Sequence, residues 1–227
     1  MTLSVNEFAA RRNDVLKRIA AAAKAAGRDA SAVTLTGVSK KQPDDRIAEA
    51  LATGQRVFGE NRVQEAETRW AGRREDVPDL ELRLIGPLQT NKSEQAVALF
   101  DVIETLDRVK LAKALKKAME KLNKHPRLYV QVNTGEEDQK AGIAPHELPA
   151  FLKQMRDEFG FSIEGLMCIP PVEDPAGPHF ALLADLAAAT GIEKLSMGMS
   201  GDYETAVKFG ATSVRVGSAL FGERPTA

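Results

Sequence analysis

Apolar positions along the chain follow two alternating periods. Stretches with apolar residues three and four apart give way to short β-branched runs, and the pair recurs from one end to the other. Ser4 and Glu7 have the spacing of a capping box, and Phe8, Val15, Leu16, Ile19 and Ala23 continue at helical spacing to a C-cap at Gly27. Next come a strand over 33–39, a helix over 44–53 closed by Gly54, a strand over 56–58, a helix over 61–70 and a loop over 75–78. Strands over 82–86 and 102–106 flank a helix over 91–99. A long helix over 107–124 follows, with Asp107 as its N-cap. The second half reads as strand 127–133, polar loop 134–142, helix 145–159 and strand 163–169, then a stiff loop with Pro170, Pro171, Pro175 and Pro178. It ends with helix 179–190, strand 194–197, helix 203–209, strand 213–217 and a last helical turn over 218–221.

This makes about eight strand–helix units, the count of a TIM-type barrel. No linker or compositional break interrupts them. The pattern predicts one α/β domain over residues 1–227, a (β/α)8 barrel preceded by a helix within 1–28. An open doubly wound sheet is the alternative.

Composition narrows the function classes. Lys and Arg number 31 against 32 Asp and Glu, which gives no support for binding nucleic acid or an anionic membrane. One cysteine, Cys168, excludes an internal disulfide framework and suits a reducing, cytoplasmic compartment. It lies in an apolar run and reads as a small buried hydrophobe. His125, His146 and His179 lack metal-ligand spacing. No apolar stretch approaches the length of a membrane span, and the N-terminus has no signal-peptide core.

The chemistry gathers at the predicted strand ends, where ligands bind in parallel α/β folds. The first strand stops at Ser39-Lys40-Lys41-Gln42-Pro43. Alternation puts Val33, Leu35 and Gly37 on one face and Thr34, Thr36, Val38 and Lys40 on the other, so Lys40 points inward and Lys41 outward. A lysine in a partly dry pocket can lose its proton and attack an aldehyde; the plainer alternative is a pair of solvated loop cations. Barrel phosphate sites are often built from the loops after strands seven and eight. Gly198, Ser200, Gly217 and Ser218 fit that description, since glycines admit an anion to the backbone and serines donate to it. Ordinary turn glycines and a helix cap are the competing explanation. In Val214-Arg215-Val216 the valines take one face and Arg215 the other, pointing into the barrel, either to a ligand or to an internal salt bridge. An inward amine, a phosphate cradle and an arginine together suit an aldehyde that carries a phosphate. Pyridoxal 5′-phosphate (PLP) is such a molecule, with a pyridine nitrogen that can accept from the arginine.

At these residues the chain resembles the pyridoxal phosphate homeostasis proteins, single-domain relatives of the alanine racemase barrel. The resemblance is carried by Val38-Ser39-Lys40, Phe58-Gly59-Glu60-Asn61, Ile85-Gly86, Leu88-Gln89, Asn91-Lys92 and Gln131-Val132-Asn133. It continues through Lys140-Ala141-Gly142-Ile143, Gly165-Leu166-Met167, Leu195-Ser196-Met197-Gly198-Met199-Ser200 and Val214-Arg215-Val216-Gly217. It implies a barrel of the alanine racemase N-terminal type, in which Lys40 holds PLP as an internal aldimine and Asn61 lines the ring. Arg215 would face the pyridine nitrogen, while Ser200, Gly217 and Ser218, with Gly198 and Met199 beside them, hold the phosphate. It further implies a carrier that passes PLP to apoenzymes, as a monomer or weak homodimer, without robust turnover. Pro87, where many relatives have histidine, and Gly201, where aspartate is common, depart from the pattern.

A PLP-dependent amino-acid racemase is the second reading. It needs a base opposite the lysine, which in racemases is a tyrosine from a partner's extra domain. Tyr129 falls toward the wrong end of its strand, and Tyr203, which begins the helix after the seventh strand, reads as a surface residue at a helix start, with a place near the phosphate as the alternative. A barrel enzyme acting on another phosphorylated metabolite is the third reading.

Overall fold

The computed structural model describes residues 5–222. Ser4 of the expected capping box lies outside the described residues. Eight strands, Thr34–Val38 (β1), Val57–Glu60 (β2), Glu81–Leu84 (β3), Val102–Leu106 (β4), Arg127–Gln131 (β5), Ile163–Met167 (β6), Lys194–Ser196 (β7) and Ser213–Val216 (β8), close into a barrel in chain order. Every neighbouring pair is parallel, and β8 returns to β1 with Thr36 level with Arg215. Closure rules out the open doubly wound sheet.

The helices are Val5–Ala25 (α1), Asp44–Ala52 (α2), Val63–Trp70 (α3), Arg73–Asp76 (α4), Ser93–Leu99 (α5), Val109–Leu122 (α6), Leu148–Phe159 (α7), Ala176–Thr190 (α8), Tyr203–Lys208 (α9) and Ser218–Phe221 (α10). Three local expectations are corrected. The segment expected as loop 75–78 begins as α4, since Arg73 and Arg74 extend the preceding helix by another turn. Arg108, not Asp107, is the N-cap residue of α6; the Asp107 carboxylate instead accepts from Arg108 Nη1. α8 starts three residues before His179, with Pro178 in its first turn, where a missing N–H breaks no helical bond.

Apolar residues fill the layer between strands and helices. Phe58, Leu82, Leu84, Ile103 and Val130 face outward beneath helices that bury Ile47, Trp70, Leu115, Met155 and Phe180. Phe58 meets Trp70 with ring centroids 4.7 Å apart. α1 closes the side of α9 and α10: Phe8 packs on Phe221 at 5.2 Å, and Arg18 lies over the Tyr203 ring at 5.5 Å. Tyr203 is therefore buried, contrary to the surface position expected, because α1 covers the start of α9.

The barrel interior is built differently. Thr36 and Ser213 share a hydrogen bond of 3.1 Å, and Arg83, Glu104, Tyr129, Ser196 and Arg215 are all buried. Glu104 on β4 and Ser196 on β7 are not on neighbouring strands, so their hydrogen bond crosses the lumen. Buried charges require partners of opposite sign or polarity, and here the lumen supplies them. Among the described residues no helix is long and apolar enough to cross a membrane.

Candidate functional site

At the carboxyl end of β1 the backbone alternates as the sequence predicts. Ser39 turns outward and donates to Glu60 Oε1 at 2.7 Å. The same oxygen accepts from Arg69 Nη1 at 2.7 Å and Trp70 Nε1 at 2.9 Å. Arg69 also donates to the carbonyls of Ser39 (3.0 Å) and Gln42 (2.8 Å), spanning the turn that carries Lys40. Lys41, exposed and at φ +57°, gives its amide to Glu65 Oε1. Lys40, half-buried, sits between these anchors. They hold its backbone from the helix side, two residues past the end of β1. Continuing the pairing of Val38 with Gly59 sets Asn61 opposite Lys40. Asn61 is half-buried and borders a cavity of about 690 Å³ with Pro87, Gln89, Lys92 and Arg108 on its wall. Gly86 abuts it so closely that a Cβ would lie 2.3 Å from the Asn61 carbonyl oxygen.

A second corner forms where β7, β8 and β1 meet. Gly198 adopts φ +92°, and its carbonyl accepts from Arg215 N at 2.9 Å. A Cβ there would meet Ala206 Cβ at 2.5 Å, so glycine permits both the left-handed turn and the approach of α9. The Ser200 hydroxyl oxygen accepts from the amides of Gly217 (3.1 Å) and Ala219 (3.5 Å). Gly217 lies directly against β1, where an added Cβ would be 3.5 Å from Val38 Cβ. Ser218 is exposed at the start of α10. The Met199 amide donates to Asp202 Oδ1, and its side chain is 37% exposed. Ser200, Gly217 and Ser218 are thus brought together beside Val38, one pleat below Lys40, while the Met199 amide is engaged within its own loop.

Arg215 lies deeper, level with Thr36. Its Nη1 donates to Ser196 Oγ at 2.8 Å and its Nη2 to the Cys168 carbonyl at 2.7 Å. Ser196 donates onward to Glu104 Oε2, whose other oxygen accepts from Arg83 Nη1 at 3.1 Å. Burial opposes the charge of Arg83, but Glu104 and Glu81 outweigh it and raise its pKa. Cys168 is fully buried as expected, and burial pushes its thiol up to about 12.

Sequence reasoning gave no role to Glu104, Ser196 and Arg83 in the lumen, or to Glu60 and Arg69 behind the lysine; Glu60 and Ser196 stood only within longer motifs. A signal existed for Glu104 and Arg83: each is a charge within a strand whose alternate positions are apolar (Leu82 and Leu84; Ile103), so it falls on the opposite, inward face. Arg69 gives no such signal, since an arginine on an amphipathic helix reads as solvated. Both tyrosines are buried. Tyr129 is the third of five residues in β5, 2% exposed, with its pKa pushed to about 12 by burial, and Tyr203 lies under α1. Lys140, in the loop after β5, pairs with Glu137. Among the described residues no group of three or more His, Cys, Asp or Glu could hold a metal ion.

The donor set fits a phosphorylated aldehyde. It offers a half-buried lysine in the turn after β1, a glycine-lined corner with hydroxyl and amide donors, and a buried guanidinium whose two engaged nitrogens leave further N–H groups for an acceptor. The sequence profile described as alanine racemase, N-terminal domain, matches residues 14–225. The chain is 41% identical over 219 residues to the pyridoxal phosphate homeostasis protein of Pseudomonas aeruginosa, covering 92% of this chain and 93% of the relative. Among solved structures it is similar to PipY of Synechococcus elongatus, determined with PLP bound, at 41% identity and a TM-score of 0.75, covering 84% of this chain and 93% of that one. It also shares its fold with alanine racemase from Bartonella henselae, at 16% identity and a TM-score of 0.73, covering 99% of this chain and 62% of that one.

Proposed function

The chain belongs to the alanine racemase N-terminal domain family, among the pyridoxal phosphate homeostasis proteins, and on that premise we propose that it carries PLP, holding it reversibly and yielding it to apoenzymes. What supports this most directly is that Gly217, bonded to Ser200, lies beside Val38, two residues before half-buried Lys40, with buried Arg215 level with Thr36 below them. The cofactor supplies an aldehyde carbon that a neutral amine captures with loss of water. Lys40 provides that amine. Ser200, Gly217 and Ser218 hold the phosphate, with Gly198 and Met199 shaping the loop above it. Asn61 flanks the ring, and Arg215 meets the pyridine nitrogen.

The same residues favour carrying over catalysis. Arginine keeps its proton near neutrality, so Arg215 donates to the pyridine nitrogen and leaves it uncharged, a weak sink for electrons. A two-base racemase needs a second base facing the lysine, and both tyrosines of this chain are buried, Tyr129 in the middle of β5 and Tyr203 with its ring under Arg18 of α1. Capture by an amine is reversible, so hydrolysis or transfer to another amine releases the cofactor. On this reading the carrier works in the cytoplasm, as a monomer or weak homodimer.

The test is to load the full chain with PLP, reduce it with borohydride and map the pyridoxyl group by mass spectrometry. The expected mass increment falls on Lys40 and disappears in Lys40→Ala. A protein that stays colourless, or an increment on Lys41, Lys92 or Lys140 in place of Lys40, would overturn the reading.

A further inference from the structure

We propose that Glu104, acting through Ser196, is the positioning residue for Arg215, and that the intervening hydroxyl keeps the arginine's charge available to a ligand. The inference rests on the PLP reading and extends it to residues that do not touch the cofactor. A carboxylate only accepts hydrogen bonds. With Glu104 Oε2 in contact, the Ser196 hydroxyl proton is committed to Glu104, and the serine oxygen therefore presents a lone pair to Arg215 Nη1 at 2.8 Å. The direction of the whole chain of bonds follows from one buried anion.

The partner of that anion matters equally. The ion pair of Glu104 is with Arg83, not Arg215. Among the described residues Arg215 has no carboxylate in salt-bridge range, although it is 3% exposed. A direct Glu104–Arg215 pair would draw the guanidinium across the lumen and neutralise it. With Ser196 between them, Arg215 is held at two points, Ser196 and the Cys168 carbonyl, and stays a cation in want of an acceptor. The lone pair of the pyridine nitrogen is that acceptor. Glu104 and Ser196 are each fully buried, so neither can be replaced by water without rebuilding the lumen.

The experiment compares PLP-loaded wild type with Ser196→Ala, Ser196→Thr and Glu104→Gln. It records the visible absorbance maximum of the bound cofactor, its rate of loss to excess semicarbazide, and the thermal midpoint. Loss of one hydrogen bond to a charged group predicts about ten-fold faster release in Ser196→Ala and Glu104→Gln, with a displaced absorbance band. Ser196→Thr, which keeps the hydroxyl, restores the wild-type band and rate. If Glu104→Gln fails to fold, the two serine variants decide the matter. Unchanged band and release in Ser196→Ala, whatever its thermal midpoint, would overturn the inference, as would a threonine variant that behaves like the alanine one. A yellow wild type with unaltered variants sinks only this inference; a colourless wild type ends the PLP reading and this inference with it.

Discussion

The two ends of the candidate site are secured by opposite means. The lysine end is held by side chains from outside the barrel, where Glu60 gathers Ser39, Arg69 and Trp70 on one oxygen and Arg69 grips two carbonyls of the turn. The other end, proposed to take the phosphate, is held by the backbone, through the left-handed turn at Gly198 and the amides of Gly217 and Ala219 on one serine hydroxyl. A group that forms a covalent bond must be aimed, and a buried ionic clamp fixes direction. An anion is satisfied by several donors at similar distance, which glycine-rich backbone provides without long side chains. On the proposed reading, the difference means that stability and cofactor grip are joined at the lysine end and separable at the end that takes the phosphate.

The largest effect is expected from Glu60→Ala. It removes the shared acceptor of Ser39 and Trp70 and the closest anion of Arg69, which keeps the Ser39 and Gln42 carbonyls and the longer Glu65 contact, and should cost about 3–5 kcal/mol in unfolding free energy, read from chemical denaturation, together with lower borohydride labelling of Lys40. A variant of normal stability would show that the clamp contributes little and would erase the contrast. Gly198→Ala comes next. A Cβ at φ +92° and 2.5 Å from Ala206 should cost about 1–3 kcal/mol and weaken PLP binding as the β7 loop shifts. A loss greater than that of Glu60→Ala would reverse the order of the two ends. Ser200→Ala should be mildest. It removes one acceptor of two amides that a bound phosphate replaces, so the thermal midpoint should hold while PLP affinity falls by about 1 kcal/mol, measured by equilibrium titration. A lowered midpoint with unchanged affinity would make Ser200 a helix cap and nothing more.

Much of this was legible in the residues. The alternation of Thr36 against Leu35 and Gly37 is a property of the pleat, and β1 keeps it, with Thr36 level with Arg215; Lys40 lies in the turn beyond the strand. The valines flanking Arg215 specified its inward direction in the same way. The boundaries of α4, α6 and α8 were less legible, because local capping signals compete with packing that only neighbouring helices supply. The burial of Tyr203 was hidden for the same reason, since α1 lies far from it in the chain.

The sequence by itself determined the periodicity of strands and helices, the face on which each strand residue falls, and the gathering of amine, glycines, serines and arginine at strand ends. Those follow from local geometry, which repeats every two residues in a strand and every 3.6 in a helix. Only the tertiary structure decided that Glu104 reaches Ser196 across the lumen, that Arg83 rather than Arg215 takes its charge, and that Arg69 grips the lysine turn. Such pairings depend on which distant residues closure of the barrel brings within hydrogen-bonding range, and no local period encodes that distance.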